Sequence, residues 1–300
     1  MPDLSIVILN YNTRERLLEC LASLRRDDVP NPRHTPSTEV LVVDNHSDDG
    51  SADAVERQFP EVTLIRAPRN GGFAYGNNLA LRRASGRLLL LLNPDTVVPG
   101  GAFATLVRYM DEHPRVGACG PRLVRPDGSL DLACRRSFPT LSVSLYRLLG
   151  LSRLFPRSRR FGRYNLTYLD PSVETEVDSV VGACMLVRRE VIDQVGLLDE
   201  TFFLYGEDLD WAYRMKQRGW IVMYVPSVTI VHHKGESSRQ QSTAMTLAFY
   251  DAMRIFYRKH YATQHSLPLN LLVELAIWVR CGISLLKNSL RPASRRRVAT

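Results

Sequence analysis

The sequence predicts an α/β protein, a mostly parallel sheet flanked by helices and followed by a helical tail. Two observations predict it. Short runs that are apolar on both faces alternate with stretches of helical spacing, the pattern of strands buried between layers of helices. Each of these runs also stops at a cluster of Asn, Asp, Gly or Ser, and in such sheets ligands bind beyond the carboxyl ends of the strands.

The elements follow in order. "LSIVIL" (Leu4 to Leu9) is a short run rich in β-branched residues and ends at Asn10, Tyr11 and Asn12. "RERLLECLASLRR" has helical spacing, and "EVLVVD" (Glu39 to Asp44) is the second strand, opening into Asn45 and "HSDDGS". "VTLIRAP" (Val62 to Pro68) is the third and leads into "RNGGFAYGNN", which holds Asn70 and Asn77. "NNLALRRAS" reads as a helix, and "RLLLLLNPD" as a fourth strand closing on Asn93, Pro94 and Asp95. Loops favour these polar residues in any protein; their coincidence on one sheet edge is the stronger signal. Further on, "GACGPRLVRPDGSL" predicts a hairpin turning at Asp127-Gly128. "VVGACMLVRREVIDQVGLLDE" reads as a strand entering a short helix, and "WIVMYVPSVTIVHHKG" as more strand ending at His232 and His233.

Three hundred residues suffice for one large α/β domain or two smaller ones. The net charge of +8 comes almost wholly from Arg, with Lys only at 216, 234, 259 and 287. Basic patches suit phosphates, anionic lipid surfaces or nucleic acid. Cys20, Cys119, Cys134, Cys184 and Cys281 are scattered and lack metal-ligand spacing, which predicts buried thiols in a reducing compartment. "MPDLSIVILNYN" has neither the basic nor the long apolar region of a signal peptide, so a cytoplasmic location is expected. No Walker A sequence is present and "NGGFAYGN" is not GxGxxG, which argues against an ATPase and a nicotinamide enzyme.

"YGEDLDWAYRM" (Tyr205 to Met215) sets Glu207, Asp208 and Asp210 directly after apolar residues. A plain structural account exists: acids in a first helical turn are favoured by the dipole, and Asp210 and Arg214 have the spacing of a surface pair. Gly206 permits a tight entry, however. A helix starting near Glu207 turns Asp208 toward the side of Trp211, Ala212 and Met215, and groups Glu207, Asp210 and Arg214 elsewhere. An acid on the apolar side is a candidate for proton transfer. At the strand ends, Asp44 can accept hydrogen bonds from a base or ribose. Asp95 is either a Pro-Asp turn or a place where a hard cation bridges to a diphosphate. His232 is either a second metal ligand or a hydrogen-bonded loop residue.

The ordered set "SIVILNYN", "VVDNHSDDGS", "NGGFAYGNN", "LLLLNPD", "GACMLVRREVIDQVGLLDETFFLYGEDLDWAYRMKQRGW" and "VHHKGESS" resembles the family 2 glycosyltransferases, and among them bacterial rhamnosyltransferase-like enzymes of surface-polysaccharide assembly. The resemblance covers roughly residues 4 to 240. It implies a GT-A nucleotide-diphospho-sugar transferase domain over 1–240, with a nucleotide-sugar half at 1–100 and an acceptor half at 101–240. It implies that Asn10 or Tyr11, with Asp44, holds the nucleotide, that Asn70 and Asn77 line the donor pocket, and that Asn12, Asn45 and Asn93 belong to the same site. Asp95 matches the last acid of the family's DxD motif, here Asn93-Pro94-Asp95 with the first acid missing, and His232 matches a late histidine. Both would contact a divalent cation, Mg²⁺ or Mn²⁺. Asp208 matches the general base of an inverting single displacement, with Glu207 the second candidate, and Trp211 reads as packing. The donor would be a dTDP- or UDP-sugar and the acceptor a lipid-linked saccharide. "QRGW" is not the QxxRW of processive synthases. From other classes, a nucleotidyltransferase would need a Gly-rich basic loop where "NYNTRER" stands, and a non-catalytic saccharide-binding protein would not need Asp95 and Asp208.

Residues 241–300 read as a helical tail. In Leu267 to Arg291, Asn270, Glu274, Arg280, Ser284, Lys287 and Arg291 share one arc of a helical wheel, opposite Leu271, Leu272, Leu275, Trp278, Val279, Ile283 and Leu286. This suits a helix lying in a membrane interface, with Arg295, Arg296 and Arg297 beyond it. The alternatives are packing on the core or in a homodimer. Leu145 to Tyr164 mixes Arg with Leu, Phe and Tyr and suits a lipid-diphosphate acceptor or a solvated loop; nothing else supports nucleic acid. The expected location is the cytoplasmic face of the membrane, by peripheral contact.

Overall fold

Five successive leucines, Leu88–Leu92 (β4), are buried to 2% exposure or less and form the middle of the molecule. A strand apolar at every position can be accommodated only between two covering layers, and the chain wraps β4 accordingly. The computed structural model describes residues 1–25, 35–233 and 242–291. β1 (Leu4–Asn10), β2 (Thr38–Asp44) and β3 (Thr63–Arg66) pair in parallel beside β4, linked by α1 (Arg14–Arg25), α2 (Ser51–Gln58) and α3 (Gly72–Leu81). β5 (Thr96–Val97), α4 (Ala102–Glu112) and β6 (Val116–Val124) follow. Then come α5 (Leu141–Leu148), α6 (Leu151–Leu154), β7 (Thr175–Val177), β8 (Cys184–Arg188), α7 (Arg189–Val195), α8 (Glu207–Gln217) and β9 (Ile221–His232). The tail is α9 (Ser242–His260) and α10 (Leu267–Ser289).

The nine-stranded sheet runs β3-β2-β1-β4-β8-β6-β9-β5, with β7 against β9. β8 is antiparallel to both β4 and β6, and β5 and β7 are antiparallel to β9, so the sheet is mixed beyond β4. The register positions the chemistry. Asn10 lies opposite Asp44 and Ile8 opposite Leu92, so the polar ends of β1, β2 and β4 share one edge. Thr96 pairs with His232, which carries the end of β9 to Asp95.

Two elements differ from expectation. α3 begins at Gly72 rather than Asn77, because a tertiary hydrogen bond, Phe73 N to Phe203 O at 2.7 Å, holds its first turn. Residues 145–164, for which a solvated loop is one of two expectations, form the end of α5, α6 and turns. The predicted hairpin is present, with Val124 bridged to Leu130 and Gly128 at φ +79°. All five cysteines are buried and unpaired.

Candidate active site

At the ends of β1 and β2 the polar side chains hold one another. Asn10 Nδ2 donates to Asp44 Oδ1 and to Ser47 Oγ, both at 3.2 Å, while Thr13 Oγ1 donates to Asn10 Oδ1 at 2.7 Å. Ser47 N donates to Asp44 Oδ2, and Ser47 Oγ also accepts from Asn12 N. Asn10 is thus a buried brace, and Asp44 keeps a lone pair on each oxygen. Asn12 Oδ1 accepts from Asp48 N, and Tyr11 is half-buried beside it. Asn45 clamps the next loop: its Nδ2 donates to Asn70 Oδ1 at 2.8 Å and its Oδ1 accepts from Gly71 N. Asn77 departs from the expected pocket-lining role. It is 1% exposed and returns its amide nitrogen to Phe73 O in its own helix. Its neighbour Asn78 bonds both Leu198 N and Leu198 O, and so ties α3 to the loop before α8.

The second cluster lies where β4 and β9 end and β5 begins. His232 is buried, with Nδ1 3.1 Å from Asp131 Oδ2 and Nε2 3.3 Å from Asp95 Oδ1. Asn93 Nδ2 lies 3.5 Å from the same Nε2. Asp95 Oδ1 makes no aligned hydrogen bond and is buried. Burial works against a charged imidazole, but the carboxylates of Asp131 and Asp95 beside it prevail and push the pKa of His232 up to about 9. A carboxylate behind a histidine is how proteins orient an imidazole for a metal. Asp131, which caps the 3₁₀ turn at Leu132–Cys134, was not picked out from the sequence.

The acids lie on the third cluster. Tyr205 and Gly206 take positive φ (69° and 84°), which turns the chain sharply into α8. A Cβ at Gly206 would meet the Phe202 ring at 3.1 Å, so a larger residue fits neither the space nor the angle. Asp208 Oδ2 accepts from Arg136 Nη2 at 2.7 Å and from Gly182 N at 2.9 Å. Glu207 is buried, and its Oε2 has no partner. Burial, and then the neighbouring Asp208, push its pKa up to about 8. The two adjacent acids differ in surroundings: Asp208 is paired with a guanidinium, while Glu207 is held neutral near pH 7 by burial.

Asp210 corrects one expectation: it is fully buried, not a surface partner. Asp210 Oδ2 accepts from Arg214 Nε at 2.8 Å, while Oδ1 faces Lys259 Nζ at 2.8 Å and His260 Nε2 at 2.7 Å. Burial opposes its charge, but His260, Arg214 and Lys259 hold its pKa below the usual range. Trp211 is fully buried with Nε1 donating to Gly196 O, which is a packing role.

The family model for glycosyl transferase family 2 matches residues 5–196. The chain belongs to that family. It is 28% identical, over 98% of its length and 96% of the relative's, to the N-acetylglucosaminyl-diphospho-decaprenol L-rhamnosyltransferase of Mycobacterium tuberculosis. It is also 28% identical to rhamnosyltransferase WbbL of Escherichia coli K12, over 56% of this chain and 63% of that one. Among solved structures, a Pyrobaculum calidifontis mannosyltransferase in complex with GDP-Man and Mn²⁺ superposes with a TM-score of 0.58. That match has 17% identity and covers 98% of this chain and 77% of the other. The protein is a glycosyltransferase with the GT-A fold.

Within this transferase, the residues missed from the sequence are Ser47, Asn78, Asp131 and Arg136. Arg136 had a local signal, an arginine pair set among the apolar residues of "LACRRSFP". Asp131 had none beyond its place after a turn.

Proposed function

We propose that the enzyme transfers a deoxyhexose such as rhamnose from a dTDP- or UDP-sugar to a hydroxyl of a lipid-diphosphate-linked saccharide, with inversion. Asp208 takes the proton of the acceptor hydroxyl as its oxygen attacks the anomeric carbon. The bond from that carbon to the diphosphate oxygen breaks on the opposite face, and the nucleoside diphosphate leaves. The observation that carries this reading is the division of the acids. Asp208 is aimed by Arg136 and the Gly182 amide, while neutral Glu207 adds no competing charge. A positioned base contributes about 10²–10⁴-fold. Asp44, braced by Asn10 and Ser47, is assigned to the nucleotide, with Tyr11, Asn12, Asn45 and Asn70 around it.

Asp95 and His232 would hold a divalent cation, Mg²⁺ or Mn²⁺, with Asn93 beside them and Asp131 orienting the imidazole. Asp95 Oδ1, buried without an aligned hydrogen bond and 3.3 Å from His232 Nε2, fits that assignment, with a cation taking the place of the Nε2 proton. A divalent cation there supplies charge neutralisation to the departing diphosphate.

We assign residues 1–240 to the catalytic unit and 241–300 to a membrane-associating tail on the inner face of the cell membrane. α10 packs inward through Ile277, Cys281 and Asn288, while Leu271, Leu272, Leu275, Trp278, Val279 and Leu286 face outward. The wheel needs one correction. Asn270 and Glu274 turn to the protein, bonding Tyr257 and Arg258, and only Arg280, Lys287 and Arg291 flank the exposed stripe. Arg295, Arg296 and Arg297 lie outside the described residues. A glutamate pair at Leu271 and Leu275 should abolish sedimentation with anionic vesicles at unchanged Tm. Retained sedimentation would refute the tail assignment, and a loss of dimer instead would assign the stripe to self-association.

The donor reading is tested by thermal shift against nucleotide sugars with Mg²⁺, Mn²⁺ or EDTA, since a ligand of the native state raises Tm. A metal-dependent rise with one nucleotide sugar is expected. Folded protein that shifts with none of them would overturn the transferase site.

A further inference from the structure

The proposed reaction leaves the segment between Arg136 and Tyr164 without a task. We infer that α5, α6 and the turn after them form the binding site for the diphosphate and the first prenyl units of the acceptor; this rests on the transferase reading above.

The segment is anchored at the acids. Ser137, next to Arg136, donates its backbone N–H to Tyr164 O at 2.8 Å. Phe138 packs edge-on against Tyr213 of α8 with centroids 4.9 Å apart. Even a fully extended chain from Arg136 to Leu141, where α5 begins, spans at most roughly 18 Å. The segment therefore starts within that reach of Asp208's partner.

Its chemistry comes in order. Tyr164, tied to Ser137, carries the Arg147 guanidinium over its ring at 4.1 Å. Stacking occupies the face of a guanidinium and leaves its in-plane N–H groups for an anion. Arg160 is held by one nitrogen, Nε donating to Tyr146 OH at 2.7 Å, which leaves its terminal N–H groups for the same purpose. Tyr146 in turn stands edge-on to Phe161 at 5.0 Å, so both arginines are fixed by aromatic rings rather than by acids. Among the described residues no carboxylate is paired with either one. Between the two arginines in the chain, Leu148, Leu149, Leu154 and Phe155 are exposed, Leu149 to 62% and Leu154 to 69%.

One segment that starts beside the acids thus carries preorganised cations and exposed apolar side chains, the two chemistries that a diphosphate and a prenyl chain need. Charge complementarity singles out this occupant, because apolar surface alone would not need two arginines held away from acids.

The test uses the full-length protein and a farnesyl-diphospho-N-acetylglucosamine acceptor in detergent. The double variant R147E/R160E should raise the acceptor KM by about tenfold or more. The nucleotide-sugar thermal shift should stay unchanged, which also shows that the protein is folded. R147K/R160K should recover part of the loss by restoring charge. An octyl glycoside of the same sugar, which lacks the diphosphate, should show no such rise in KM. Equal acceptor KM in wild type and double variant, or equal rises for both acceptors, would overturn the site. So would a double variant that loses only vesicle binding. A direct assay, displacement of a fluorescent prenyl diphosphate, separates the two readings. Arginine-dependent binding without any sugar transfer sinks the reaction and keeps the site. Transfer with arginine-independent prenyl-diphosphate binding does the reverse.

Discussion

Substituting Glu207 by Gln tests the division of labour between the acids. Glu207 is 5% exposed, one residue from Asp208, with an oxygen that finds no partner. Its pKa moves from 4.5 to about 8, burial first and Asp208 second. A carboxyl that binds its proton more tightly when folded contributes stability that is fully present below about pH 4.5 and lost as pH rises toward about 8. Across that window each pH step costs at most about 1.4 kcal/mol. Over that window a total of roughly 1–3 kcal/mol is expected. E207Q carries no such proton, so its urea stability relative to wild type should climb from pH 5 to pH 8 by that amount. At pH 7 the amide resembles the neutral acid already present, so transfer should fall far less than in D208N, which should lose about 10²–10⁴-fold in kcat. Chemical denaturation at four pH values, with initial rates beside it, reads both. A stability difference flat in pH, or an E207Q rate as low as that of D208N, would refute the argument and make Glu207 the base.

Further outcomes follow from neighbouring contacts. D131N should weaken the cation dependence of the thermal shift by about 10–100-fold in midpoint, because His232 loses the carboxylate that orients it; an unmoved midpoint would remove His232 from the metal. G72A should cost roughly 1–3 kcal/mol, since Gly72 has φ +87° and a Cβ there would lie 2.2 Å from Phe203 O. Its nucleotide-sugar shift should fall too, as that contact ties the strand-end loop to the acid loop. D210N should cost about 3–5 kcal/mol by removing the shared partner of Arg214, Lys259 and His260. Tm measured with and without the substitution settles it, and a neutral result would show that α8 needs no anchor on α9.

Much of this protein follows from local sequence alone. Continuous apolar runs such as Leu88 to Leu92 have only one low-energy home, a strand covered on both faces. The polar residues ending β1, β2 and β4 had to share an edge once those strands were parallel. Local order also placed three acids on the first turn of α8. It did not decide which acid does what, because partners arrive from far along the chain. Arg136 reaches Asp208 across 72 residues, Asp131 reaches His232 across 101, and His260 reaches Asp210 across 50. Those pairings depend on the sheet turning antiparallel at β8 and on α9 folding back over α8. The same holds for α10, where the wheel shows two arcs but only packing against α9 decides which one faces out. Periodicity records which side of an element is apolar; the charge of a buried carboxyl is set by whatever the finished fold brings within a few ångströms of it.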